Sequence, residues 1–168
     1  VWGTVVVPGR VAKKNISTLD HLLPFFEGNY EIANHTHSHP VRIGQLEREE
    51  QERELVSQHE RLLELGREFG ISLSIQGFRA PFYAYDRGVF RTLKKLGYRW
   101  DSSSLYSPLL GAPFVPFERN GILEIPALFP DDTTLLDRML LPPESLFQIF
   151  WRSYQKTGQY FVFTIHPY

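Results

Sequence analysis

Short apolar, β-branched runs alternate with helix-patterned segments along all 168 residues, and this alternation narrows the fold more than any other feature. Thr4–Val7 closes on Pro8-Gly9 and reads as a buried strand. Tyr30–Ala33, Leu73–Phe78, Tyr98–Trp100, Ile122–Leu128 and Tyr160–Ile165 read as further strands. Helical patterns lie between them, over Ser17–Phe26 (weakened by Pro24), Gln45–Phe69, Asp86–Leu96 and Pro143–Lys156. Asp86 is a plausible N-cap, Gly97 a C-terminal stop, and Pro108–Gly121 a loop rich in Pro and Gly. The order predicts parallel strands wrapped by helices, as an open sheet or a barrel.

The reactive side chains fall at one edge of such a sheet. His35, Arg79, Asp101, Asp131 and His166 each follow the C-terminal end of an expected strand, where α/β folds assemble their active sites. Half of the six histidines sit in His35-Thr36-His37-Ser38-His39-Pro40. With no cysteine in the chain, any ligands are nitrogen or oxygen, a set suited to a hydrolytic zinc or similar ion that keeps a position open for water. His35 and His39 are four apart, and Pro40 disfavours α geometry for His39. A curved loop can aim the pair at one ion. His37 then points away or supports from behind, and Thr36 and Ser38 can orient the rings.

The rest of the composition excludes more than it assigns. A net charge of −1 gives no field for collecting nucleic acid or anionic lipid. No apolar run approaches the ~20 residues that span a bilayer, and no signal-peptide pattern opens the chain, so the compartment stays open. One domain over residues 1–168 is expected from length. Both ends read as cut from something longer.

His35-Thr36-His37-Ser38-His39 resembles the His-Ser/Thr-x-x-His metal motif of the polysaccharide deacetylases, the NodB-homology carbohydrate esterases. Arg79-Ala80-Pro81-Phe82-Tyr83 resembles their Arg-x-Pro-aromatic motif, Asp101-Ser102-Ser103 falls where the fourth motif belongs, and Thr164-Ile165-His166-Pro167 is similar to the last. Val6-Val7-Pro8-Gly9-Arg10 resembles the strand before the metal histidines. The resemblance implies a distorted (β/α) barrel, here incomplete, a divalent metal, most simply zinc, and removal of acetyl groups from an N-acetylglucosamine-type glycan. It implies His35 and His39 as metal ligands, Arg79 as the group positioning a catalytic carboxylate, and the Phe82 N–H, beside Tyr83, as an oxyanion donor. His166 would protonate the leaving amine, with Asp101 able to tune it.

Two departures stand out. The family's opening Asp-Asp motif, source of a carboxylate ligand and the base, has no counterpart and would precede Val1. Phe82 and Thr164 replace the more usual Tyr and Leu. Asp131-Asp132 could supply carboxylates, although Pro130-Asp131-Asp132-Thr133 also reads as a turn and helix cap. Asp20 and Asp86 look like helix-entry residues. Tyr83, Tyr85, Trp100 and Tyr106 could stack on sugar, or simply pack in the core. Two other functions compete: a remnant that binds metal or glycan without turnover, and a phosphoesterase using His35-Thr36-His37, disfavoured by Pro40-Val41 and by the two elements ahead of the motif.

Overall fold

A computed structural model of the chain describes residues 3–9, 30–106, 115–128, 148, 151–152 and 155–156. The expected Ser17–Phe26 helix and Tyr160–Ile165 strand, together with Asp20, Asp131, Asp132 and His166, lie outside them. Within Pro143–Lys156 the described positions are helical. The chain forms two compact units, one of 1–103 with 118–123 and one of 104–117 with 124–168.

The first unit is built on β1 (Gly3–Val7), β2 (Tyr30–Asn34), β3 (Gly77–Phe78) and β4 (Trp100–Asp101), parallel and adjacent in chain order. β7 (Ile122–Glu124) and β6 (Phe117–Arg119) follow beyond β4. A two-residue link, Asn120-Gly121, joins these last two with φ of 53° and 73°, the positive pair that a tight hairpin turn requires. Among the described residues the sheet is open, with β1 and β6 at its edges. It is an incomplete barrel, the α/β class expected.

Among the described residues two helices cover this sheet: α1 (Arg48–Glu68), entered through a short 3-10 turn at Ile43–Gln45, and α2 (Arg87–Lys95). In α1 the buried positions Gln51, Leu55, Gln58, Leu62 and Leu65 step by three and four along one face. Leu46 and Leu63 are partly buried and pack against the same core. Burying each such leucine contributes about 1.5–3 kcal/mol. The stripe meets Val7, Ile32 and Phe78 from the strands and Val89, Phe90 and Leu93 from α2.

Both helices stop where glycine permits. Gly70 and Gly97 take φ of 70° and 79°. Behind them Ile71 N–H returns to the Gly66 carbonyl (2.7 Å) and Tyr98 N–H to that of Leu93 (2.9 Å), closing the last turn of each helix. Asp86 caps α2 as expected, accepting from Gly88 and Val89 N–H at 2.9 and 3.3 Å.

Three local expectations change. Only Gly77–Phe78 of Leu73–Phe78 pairs as strand. Pro108–Gly121 is not all loop, since it contains β6. Ile122–Leu128 is two strands, β7 and β8 (Ala127–Leu128), separated by Ile125-Pro126, because proline has no N–H for a continuous ladder. In the second unit β8 pairs in parallel with β5 (Leu105–Tyr106), extended by an Ala127 N–H to Ser104 bond of 2.8 Å. No helix is long and apolar enough to cross a membrane among the described residues.

Candidate functional site

Register assembles the site. Val7 pairs with Asn34, Asn34 with Phe78 and Phe78 with Asp101, so the ends of β1 to β4 form one row across the sheet. All four side chains in that row are buried. The next residue of each strand leaves on the same edge, and neighbouring strands lie roughly 4.8 Å apart. His35 and Arg79, 44 positions apart in sequence, thereby become neighbours.

Asn34 holds the two loops together. Its backbone oxygen accepts from Arg79 N–H at 3.0 Å. Its side-chain oxygen accepts from Thr36 N–H at 2.8 Å, while its amide donates to the Leu55 carbonyl (2.9 Å) and the Tyr98 hydroxyl (2.8 Å). The Tyr98 hydroxyl sits 3.1 Å from His59 Nδ1. Burial pushes the Tyr98 phenol far above its ordinary range and holds the His59 imidazole below its usual value. Tyr98 therefore stays protonated, accepting from Asn34 and donating to a neutral His59.

The histidine loop is pinned from behind by α1. His37 N–H donates to the Glu54 carbonyl (3.1 Å) and Ser38 N–H to the Glu54 carboxylate (2.7 Å). Two residues beyond β1, Gly9 N–H donates to the Thr36 carbonyl (3.0 Å). A Cβ on Gly9 would stand 2.7 Å from the His37 carbonyl, so this approach requires glycine. Gln58, buried in the α1 stripe, donates to the Val7 carbonyl. Thr36 and His39 take positive φ, 64° and 57°, a strained backbone that persists only where surroundings fix it.

His35 and His39 face each other with ring centres 4.9 Å apart and planes at 70°. His35 Nδ1 lies 2.7 Å from the Arg79 carbonyl oxygen. A carbonyl cannot donate, so Nδ1 carries a proton, and in the neutral ring the lone pair is on Nε2. The His39 ring also meets Phe82 edge-on at 5.2 Å.

After β3 the chain turns at Pro81–Tyr83, where Phe82 and Tyr83 both have positive φ, 53° and 56°. The amides closing this turn belong to Tyr83 and Ala84. Arg79 is 9% exposed. Its Nε and Nη2 donate to Ser102 oxygens at 3.0 and 2.8 Å, and its guanidinium stands 5.8 Å over the Tyr83 ring. Ser103 Oγ accepts from Ala80 N–H (2.8 Å) and donates to Asp101 (2.5 Å). Asp101, Ser102 and Ser103 are all buried, and together they fix the turn that carries Arg79 and Phe82.

Of the residues singled out in the sequence, His35, His39, Arg79, Phe82 and Tyr83 come together, with Asp101 bound through Ser103 to the same turn. Thr36 does not orient a ring: its hydroxyl is buried with no hydrogen-bond partner among the described residues, while Ser38 meets Glu54 through its backbone N–H. The Arg79 carbonyl does that job. Trp100 is structural, donating to Glu31 at 2.8 Å and packing on Gly77. Asn34, Glu54, Ser102 and Ser103 went unrecognised in these roles. Glu54 falls in an α1 charge run that reads as a solvated face, and only its contact with Ser38 reveals otherwise.

The donor chemistry fits a divalent ion in part. A ligating imidazole nitrogen lies about 2 Å from zinc, which puts the ring centres of two tetrahedral ligands on the order of 5 Å apart. The 4.9 Å separation matches, and the Nδ1–H to carbonyl bond on His35 is the support that metal-bound histidines receive. No group of three His, Asp or Glu able to hold an ion occurs among the described residues.

The sequence profile of the polysaccharide deacetylases matches residues 4–100, more than half of the chain, and the chain belongs to that family. No curated protein matches the chain. Among solved structures, a Mycobacterium smegmatis protein assigned as a polysaccharide deacetylase is 20% identical, with a TM-score of 0.67 over 98% of this chain and 58% of that one. A family 4 carbohydrate esterase from Streptomyces lividans, in complex with acetate, is 17% identical, with a TM-score of 0.51 over 68% of this chain and 55% of that one. A CE4-family pseudoenzyme from Bacillus anthracis is 14% identical, with a TM-score of 0.60 over 98% and 54%. The chain thus spans little more than half the length of these structures, and the likeness concerns the fold.

Proposed function

We propose that the protein is a metal-dependent hydrolase that removes N-acetyl groups from an N-acetylglucosamine-type polysaccharide or oligosaccharide. The observation that carries this reading is the His35–His39 pair, with His35 fixed in one tautomer by the carbonyl of Arg79. A divalent ion, most simply zinc, would be held by His35 and His39 and would supply an activated water and a polarised acetyl carbonyl. Arg79, its guanidinium locked on Ser102, positions a carboxylate base. The Phe82 N–H, which takes no part in closing its turn, would donate to the oxyanion. His166 protonates the departing amine and Asp101 tunes it, in a step worth about 10²–10⁴-fold.

Acetate release from N-acetylated chitotetraose, measured with zinc and after chelation, tests the reading. Release that requires the metal supports it. Zinc bound by the histidines with no acetate formed favours the second reading, a metal- or glycan-binding remnant without turnover. That reading draws support from the absence of a three-ligand group among the described residues.

A further inference from the structure

We propose that the first unit holds a second binding site, for a carboxylate- or phosphate-bearing saccharide, in the cavity between the N-terminal end of α2 and the β6–β7 turn. The cavity measures about 480 Å³ and is lined by Tyr85, Asp86, Arg87, Phe90, Arg119 and Asn120. That volume falls within the roughly 300–1,000 Å³ of small-molecule sites. None of the six belongs to the histidine site.

Arg119 is held in advance of binding. Its guanidinium stands 5.3 Å over the Tyr85 ring and 5.9 Å over that of Phe90, and it donates to the Tyr85 hydroxyl. Those two rings meet edge to face at 5.6 Å, and Phe90 is a core residue, 2% exposed. An arginine on such a platform gives up little side-chain entropy when an anion arrives. Asn120 is fixed beside it by the positive-φ turn.

The charges favour an anion. Two guanidiniums face one carboxylate, and that carboxylate is already committed: Asp86 accepts from Gly88 and Val89 N–H and, at 3.4 Å, from the Gln51 amide. Arg87 is exposed and makes no ion pair among the described residues. Arginine pairs planar carboxylates and phosphates through two parallel N–H bonds. The saccharide part of the assignment rests on the deacetylase reading; the anion part does not.

Calorimetry on metal-free protein separates the two. The probes are trigalacturonate, inorganic phosphate and neutral N-acetylchitotriose. Trigalacturonate should bind, weaken at least tenfold in both Arg119→Gln and Arg87→Gln, and weaken further with salt. Phosphate binding with the same arginine dependence, and no trigalacturonate binding, would support the anion site and overturn its assignment to a carboxylate-bearing sugar. If neither anion binds, or if folded Arg87→Gln and Arg119→Gln proteins bind as the parent does, the proposal is overturned. Since no metal is present, loss of deacetylation alone leaves this result untouched.

Discussion

The proton on His35 Nδ1 points to the Arg79 carbonyl oxygen, 2.7 Å away, so the residue that begins one family motif sets the tautomer of the residue that begins another. His35 Nε2 is thereby left as the nitrogen able to bind a cation. In this account the pair of imidazoles, not His37, determines metal affinity. Zinc titrations should show His35→Ala and His39→Ala losing more than the ~10–100-fold that follows removal of a supporting hydrogen bond. His37→Ala should change affinity little. Equal losses in all three variants would place the ion elsewhere.

Asn34 is fully buried and serves four partners through its side chain and backbone. Asn34→Ala leaves the Thr36 N–H, the Leu55 carbonyl and the Tyr98 hydroxyl short of their partner. Each unsatisfied buried group costs about 1–3 kcal/mol, so denaturant unfolding should register a loss of at least ~2 kcal/mol. The Thr36 turn relaxes with it, and zinc affinity should fall too.

Gly9→Ala tests the contact between the end of β1 and the histidine loop. The added methyl meets the His37 backbone at 2.7 Å, and backbone cannot swing aside as a side chain can. Overpacking of this kind costs about 1–3 kcal/mol. A variant as stable as the parent would mean that the loop lies farther from β1.

A pH dependence follows from His59. Desolvation holds its folded imidazole below the ordinary 6.5, more strongly than the Glu60 charge raises it. On acidification the unfolded chain therefore takes up a proton before the folded one does. Stability should fall as pH drops below about 6.5 towards the folded value, and His59 should add no slope above it. Protonation also removes the acceptor for the Tyr98 hydroxyl. His59→Gln should flatten this part of the stability curve.

The helices and the row of strand ends were legible because their signals are local. The three-and-four spacing of leucines, the Asp86 cap and the stop at Gly97 each act within a few residues. The histidines and Arg79 could be placed at strand ends for the same reason. Leu73–Phe78 misled because alternation reports a half-buried surface, not a partner strand: Ile75 is buried and Leu73 packs against the core without pairing. Asn34, Glu54 and Ser103 look like ordinary polar residues until strand register and helix docking bring their partners across 16 to 64 positions of sequence. The left-handed backbone at Thr36, His39, Phe82 and Tyr83 has no sequence signal either, since none of them is glycine or asparagine. Tertiary contacts impose it.

Anomalous diffraction at the zinc edge, from crystals of the zinc-soaked protein, shows whether His35 and His39 grip one ion. A single strong peak is expected about 2 Å from ring nitrogens of both His35 and His39, with His35 Nδ1 still on the Arg79 carbonyl. Rings turned apart with no peak between them, or a peak held by other residues, would contradict ion binding by this pair.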